Sequence, residues 1–471
     1  MNRVVPLILA VALFMEQMDS TVIATSLPVI AQDLDTSPIA LKLALTTYLV
    51  ALAIFIPASG WMADRFGARR VFMIAIGVFM AGSLACAVAD SISAFVVARF
   101  IQGMGGSMMT PIARLVLVRA TGRDRLVEAM AWLAVPALVG PLVGPPIGGF
   151  LTTYVSWHWI FLINIPIGIL GLAASYVFLP VIPGEEMGRL DARGFVLSGL
   201  AASGIVFGLS VISLPALPMV YGVVSVIAGI VCVGLYLIHA ERAAKPVLDL
   251  TLFAIPTFRA SILSASIARL GIGATPFLLP LMLQLGFGLS AFESGMVTFV
   301  AAIGALTMKF ATARIYASFG FRRILIATIA ISGLLLMVMG LFSPALPFAL
   351  IYAVLLFGGL SRSLMFTGTN VLVFADVEPE RTGAATAIAS VLQQVTLALG
   401  VAVAGLLVET SIAWRGEDLG LADFQFAFLV VGAIAILGVF PVMRLDARAG
   451  SRVSGHKREI GESAPGIAPR P

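Results

Sequence analysis

Apolar runs of roughly twenty residues follow one another along almost the whole chain, separated by short polar or Gly/Pro-containing links. Fourteen such runs can be marked, at about 6–28, 43–63, 71–89, 93–118, 127–151, 159–179, 194–212, 217–238, 259–284, 293–313, 324–342, 347–373, 383–409 and 425–443. Their apolar positions are continuous and do not alternate. That predicts membrane-spanning α-helices, since barrel strands would show a two-residue period. Charged links follow the sixth run, from Pro180 to Arg193, and the eighth, from His239 to Phe258. The expected organisation is an N-terminal six-helix bundle over 1–180 and a central linker with two transmembrane helices over 181–258. A C-terminal six-helix bundle follows over 259–445, then a polar cytoplasmic tail over 446–471, expected to be disordered. The predicted class is an all-α polytopic membrane protein.

Composition agrees. Of 471 residues 60% are hydrophobic and 11% are charged, with a mean hydropathy of +1.06. Soluble domains carry about 25% charged residues. Cys86 and Cys232 both fall in apolar runs, so neither a disulfide framework nor a metal site is expected. His158, His239 and His456 are too far apart in sequence for metal-ligand spacing. No GxxxxGK[ST] loop and no soluble domain for an ATPase are found. The reading is of a protein that is not an enzyme, needs no cofactor and draws on an ion gradient for any uphill work. The N-terminal MNRVVPLILA lacks a short apolar region followed by a small-residue cleavage site, and is read as a retained first span.

Lys and Arg outnumber acidic residues by 29 to 24. Their placement makes this a statement about topology. With a cytoplasmic N-terminus, the inner links hold Arg65, Arg69, Arg70, Arg119, Arg123, Arg125, Arg189, Arg193, Arg242, Lys245, Arg314, Arg322, Arg323 and Arg381. The tail adds Arg444, Arg448, Arg452, Lys457 and Arg458, while the outer links hold only Lys42 and Arg415. This is the positive-inside bias of a bilayer protein and not a nucleic-acid footprint. An internal repeat supports the two-bundle reading. GWMADRFGARR (60–70) and ARIYASFGFRR (313–323) both end F-G-x-R-R, 253 residues apart. Ala317 and Ser318 stand in the second copy where Asp64 and Arg65 stand in the first. Duplicated bundles are a transporter architecture, with the substrate site between the halves near the midplane.

The first run holds two carboxylates, Glu16 and Asp19, at membrane depth. An ionised group there costs several kcal/mol unless it is paired, hydrated or neutralised. Asp19 lies about 14 Å from the outer end of its span, and Arg99 of the fourth run about 10 Å from its own, so the two are natural partners. Burial beside an arginine balances two opposing effects on a carboxyl, which suits a proton-coupling site; a static ion pair is the other reading. Glu16 shares a helix face with Asp19, about 4–5 Å nearer the midplane. Without an assigned partner, it is expected to stay protonated, or to meet a substrate or Arg269 across the cavity. Arg269 lies about 16 Å into the ninth run and Arg362 is similarly deep in the twelfth. With Gln102, Asn370, Gln393 and Gln394 they complete the candidate substrate cavity. Lys309 and Arg114 are expected to snorkel to the cytoplasmic surface. In the 60–70 loop, Gly60 would permit close helix contact, Gly67 a tight turn, and Asp64, Arg65, Arg69 and Arg70 a charge latch at the cytoplasmic face. In the fifth run Gly140, Gly144 and Gly148 line one face, beside Gly149, and Pro141 and Pro145 remove backbone donors and are expected to bend the helix. That combination suits a helix that flexes or seals.

These residues resemble the major facilitator superfamily. GWMADRFGARR resembles its loop signature, RFIQGMGG its fourth-helix signature and GPLVGPPIGG the fifth-helix signature of antiporters. MDSTVIATSLP and SWHWIFLINIPIG resemble the first-helix and sixth-helix patterns of the fourteen-span drug:proton antiporter family of the EmrB/QacA type, and the combination is most like its MdtD-type subgroup. The resemblance implies a major facilitator fold and proton-driven multidrug efflux across the bacterial inner membrane. Its partners would be protons, the lipid bilayer and a small-molecule substrate. By matching position, Asp19 would take the first-helix acidic role and Arg99 the proton-linked role. Two alternatives stay open. One is export of an anionic metabolite, such as a carboxylate or a metal-carboxylate chelate, suggested by Arg269 and Arg362. The other is a non-transporting sensor or scaffold acting through the tail.

Overall fold

The computed structural model of the chain describes residues 4–120, 126–181, 183–184, 190–212, 214, 217–446 and 449–450, without side chains at 4 and 126–138. Arg123, Arg125, Arg189, Arg448, Arg452, Lys457, Arg458 and nearly all of the expected tail lie outside the described residues. Among the described residues all regular structure is helical. The first half comprises α1 (Val4–Val22), a 3-10 turn over Ile23–Ser26, α2 (Leu27–Asp33), α3 (Lys42–Phe66), α4 (Ala68–Ala87), α5 (Ile92–Ala120), α6 (Leu126–Tyr154), α7 (Trp159–Leu162) and α8 (Asn164–Phe178). A central pair follows, α9 (Ala192–Ile212) and α10 (Met219–Arg242). The second half comprises α11 (Pro256–Gly273), α12 (Thr275–Leu281), α13 (Ala291–Phe319), α14 (Phe321–Met339), α15 (Phe348–Leu372), α16 (Thr382–Arg415), α17 (Leu421–Leu437) and α18 (Val439–Met443). Among the described residues twelve helices are long and apolar enough to cross a membrane. The protein is a multi-pass membrane protein.

Helix ends follow local chemistry. Gly67 between α3 and α4 has φ 90°, and Gly320 between α13 and α14 has φ 75°. Both are left-handed turns that favour glycine. They are the equivalent glycines of the F-G-x-R-R repeat, so the duplication read from sequence is also a duplication of backbone. The following arginines repeat too. Arg69 donates to the Tyr176 carbonyl at the end of α8, and Arg322 donates to the Met443 carbonyl of α18 at 2.8 Å. Each ties the repeat loop to the last helix of its own half. α13 opens with a capping box, Ser290 accepting from the Glu293 N–H and Glu293 accepting from the Ser290 N–H.

Two expectations at the outer face need correction. Lys42 is not a loop residue. It begins α3, is fully buried, and its Nζ lies 3.1 Å from Glu409 Oε2 on α16. Arg415 ends α16, which runs past the expected boundary at 409, and pairs with Glu417 at 3.0 Å and Asp423 at 3.1 Å. Neither cation is an unpaired exception to the charge bias.

The helices pack through small residues, as is usual where lipid removes any hydrophobic drive between helices. In the central pair, Gly208 of α9 lies against Gly222 of α10, and Gly204 against Gly229. The pair is tethered on the arginine-rich side by Asp191, which accepts from His239 at 2.7 Å and from the Gly194 and Val247 N–H groups. Partial burial raises the Asp191 carboxyl, but these bonds outweigh it and hold it below its ordinary range.

The contacts joining the two halves lie away from the arginine-rich loops. Gly149 of α6 abuts the Ala291 carbonyl, and the Pro145 carbonyl sits where a Cβ of Gly295 would be. Phe150 and Tyr154 pack on Phe292, Gln284 donates to the Thr25 carbonyl at 2.9 Å, and Lys42 reaches Glu409. These contacts hold the two halves together at this face.

Candidate functional site

Asp19 and Arg99 meet inside the first half. The Arg99 side chain is 1% exposed and Asp19 fully buried, with Arg99 Nη1 donating to Asp19 Oδ2 at 2.8 Å. Local sequence explains how a guanidinium is held there. Gly103 and Gly105 let α5 press against its neighbours; a Cβ at 103 would stand 2.6 Å from the Tyr48 carbonyl, and one at 105 only 2.4 Å from the Phe79 nitrogen. That approach lays the Tyr48 ring against the Arg99 guanidinium, 4.2 Å from Cζ to the ring centroid. One turn along α5, Gln102 Nε2 donates to Asp19 Oδ1 and to Ser83 Oγ, each at 2.7 Å. Asn164 Nδ2, at the start of α8, donates to Asp19 Oδ1 at 2.8 Å and to Ser83 Oγ at 3.3 Å. Asp19 therefore accepts from three donors, the arrangement of a charged carboxylate. Nε of Arg99 has no partner among the described residues.

This cluster changes two sequence-based assignments. Gln102 belongs to the ion-pair network and not to the substrate cavity. Glu16 is also held in the first half, where Thr110 of α5 donates to its Oε2 at 2.7 Å. It faces neither Arg269 nor the cavity described below. Asn164, Ser83 and Tyr48 were not singled out from sequence. Asn164 carries a signal, being a polar residue inside the apolar stretch FLINIPIG, whereas Ser83 and Tyr48 carry none.

Between the halves lies a cavity of about 370 Å³. The first half contributes Thr21, Ala24 and Thr25 of the first span with Pro141, Leu142 and Pro145 of α6. The second contributes Ile272, Gly273, Thr275, Pro276 and Leu279, then Lys309, Leu336, Met339, Arg362, Phe366 and Leu397. The first span of each half is interrupted where it borders this space, at Ile23–Ser26 and at Ala274 between α11 and α12. Irregular backbone at membrane depth is expected where it lines a cavity.

Of the seven expected cavity residues, Arg362 lines this space. Arg269 is buried behind Phe366, with Cζ 4.9 Å from that ring and Nη2 donating to Asn370 Oδ1 at 2.9 Å. Gln393 and Gln394 are partly buried on α16, and Leu397, one turn further on, reaches the cavity in their place. Lys309, expected to snorkel, is exposed; it also borders the cavity and donates to Thr367 Oγ1 at 2.8 Å.

In the 60–70 loop, Asp64 pairs with Arg119 of its own half at 2.7 Å, so here the charges do not latch one half to the other. Arg65 and Arg70 are exposed. Gly60 also departs from expectation, since a Cβ there would meet nothing within 4 Å. On α6, a Cβ at Gly140, Gly144 or Gly148 would collide with Gln17, Thr21 or Val22 of the first span. The glycine face is therefore a packing seam with the helix that carries Asp19. Its prolines do not break α6, which runs continuously from Leu126 to Tyr154. Among the described residues no group of His, Cys, Asp and Glu could hold a metal ion.

Comparison with known proteins accords with this architecture. A family model described as Major Facilitator Superfamily matches residues 9–238 and 261–468. A putative multidrug resistance protein MdtD of Salmonella paratyphi B is 36% identical over 465 residues, covering 96% of this chain and 97% of the relative. Its namesake in Citrobacter koseri is 36% identical over 473 residues with the same coverage. Among solved structures, a D-xylose–proton symporter superposes with a TM-score of 0.69 at 14% identity, covering 95% of this chain and 98% of its own. An auto-inhibited POT family peptide transporter gives 0.68 at 16% identity, covering 99% of both chains. The structural neighbours speak to the fold alone, while the family match and the sequence relatives span nearly the whole chain. The chain belongs to the Major Facilitator Superfamily.

Proposed function

We propose that the protein is a proton-coupled secondary transporter that exports drugs or amphiphilic small molecules across the bacterial inner membrane by alternating access. Fourteen spans, with both termini cytoplasmic, are the topology that suits it. To the twelve apolar helices this count adds α5 and α6, each 29 residues long. With the arginine-rich loops cytoplasmic, the contacts between the halves at the opposite face suit an inward-facing conformer. The multidrug-resistance name of the 36%-identical relatives supports the class of cargo.

The observation that carries the proposal is the buried Asp19–Arg99 pair with its three-donor shell. The pair does not border the cavity, so proton and cargo do not share a site. They share a helix: Thr21, Ala24 and Thr25, directly after Asp19, line the cavity. A proton on Asp19 would cancel the charge that Arg99 faces and loosen the hold of α4, α5 and α8 on α1. The glycine seam packs α1 on α6, and Gly149 and Gly295 pack α6 on α13 of the other half, so movement of α1 would be felt across the molecule. Coupling through packed elements with two arrangements is the physical form such a link takes. Purified protein in proteoliposomes should release protons from one side as a panel of amphiphilic compounds moves from the other. No proton movement with any transported compound would rule the proposal out.

A further inference from the structure

The cavity is electrically lopsided. Its first-half wall, including Thr21, Thr25, Pro141 and Pro145, has no charge. Its second-half wall holds two cations, Arg362 and Lys309, and among the described residues no acidic side chain lines it. A third cation, Arg269, stands behind Phe366. Arg362 has no hydrogen-bond or ion-pair partner among the described residues. Buried and half-buried acids of the helices are engaged elsewhere: Asp19 with Arg99, Glu16 with Thr110, Glu409 with Lys42 and Asp423 with Arg415. An unbalanced cation at membrane depth is costly, and is kept where it has a task. A cavity with one sign of charge and low-dielectric walls concentrates ions of the other sign.

The rest of the wall is mostly apolar, led by leucine, proline and alanine, with the hydroxyls of Thr21, Thr25, Thr275, Thr298 and Ser332 among them. With so few polar groups, such a surface is poor at replacing the whole water shell of a small polyanion or a metal chelate. It suits an apolar body, and about 370 Å³ is of the size that encloses a drug-like molecule. We propose that the cavity takes amphiphilic organic anions, an apolar body carrying one carboxylate or similar oxyanion group. The planar guanidinium of Arg362 grips the oxyanion and Lys309 adds attraction from the cytoplasmic side. This deepens the exporter reading and rests on it only for direction; binding itself does not need flux.

The test is calorimetric titration of the full chain in detergent with three probes sharing one aromatic body: naphthylacetate, its methyl ester and naphthylethylamine. Naphthylacetate should bind tightest, by about tenfold over the ester. Arg362→Gln should collapse that ratio towards one, Arg362→Lys should retain part of it, and Lys309→Gln should reduce it a few-fold. The proposal is overturned if the amine or ester binds as well as the acid, or if Arg362→Gln leaves the ratio unchanged. The comparison of the three probes needs only wild-type protein, so a poorly folded variant cannot rescue the idea. Loss of proton-linked flux with the ratio intact would instead count against the exporter reading alone.

Discussion

Arg99 is a fully desolvated cation whose tolerance depends on one carboxylate. Its removal is more harmful than its loss of charge suggests, because Asp19 would stay buried with two amide donors and no counter-charge. Arg99→Ala should destabilise the protein by about 3–5 kcal/mol, the usual result of orphaning a buried charge. The double variant Asp19→Asn, Arg99→Gln should recover part of that loss, and thermal unfolding in detergent would measure both. The pair itself was legible in sequence, because helix rise fixes depth and both residues are unusual in apolar runs. Its companions were not. Whether Ser83 or Tyr48 points inward depends on the azimuth of α4 and α3, which close glycine contacts set, and serine and tyrosine at such positions are common.

Among the elements, twelve of the spans could be read because twenty continuous apolar residues have few alternatives, and the repeat because two glycines require the same left-handed turn. What each glycine does was less accessible. Gly60 and Gly148 look alike in sequence, but a Cβ at 60 meets open space and one at 148 stands 2.2 Å from the Val22 carbonyl. Gly148→Leu should therefore cost about 1–3 kcal/mol through overpacking of the seam and abolish transport. Gly60→Ala should change stability by no more than about 0.5 kcal/mol. If Gly60 is a contact of the alternate conformer, Gly60→Ala slows transport without altering unfolding; equal destabilisation by both substitutions would contradict the packing described.

For the whole molecule, the contact between halves was the part that sequence could not supply. Lys42 reads as an ordinary outer-loop cation, and only the approach of α3 to α16 makes it a buried partner of Glu409, its stem lying over Gly405. The cavity was hidden for the same reason: its wall is built from ordinary threonine, leucine and proline brought together by two bundles. The Lys42–Glu409 pair stands across the face where the halves are held together, so it must break when that face opens. Glu409→Gln should shift the population towards molecules open there, seen as longer spin-label distances between positions 35 and 417. The exchange Lys42→Glu, Glu409→Lys should restore much of the closed population. The central claim is that proton coupling resides in Asp19 and is relayed to a separate cavity through α1. It is tested most directly by measuring substrate-driven proton movement in proteoliposomes of Asp19→Asn. The account predicts that naphthylacetate still binds with near wild-type affinity while coupled proton movement falls to the protein-free background. Coupled exchange at the wild-type rate would contradict it.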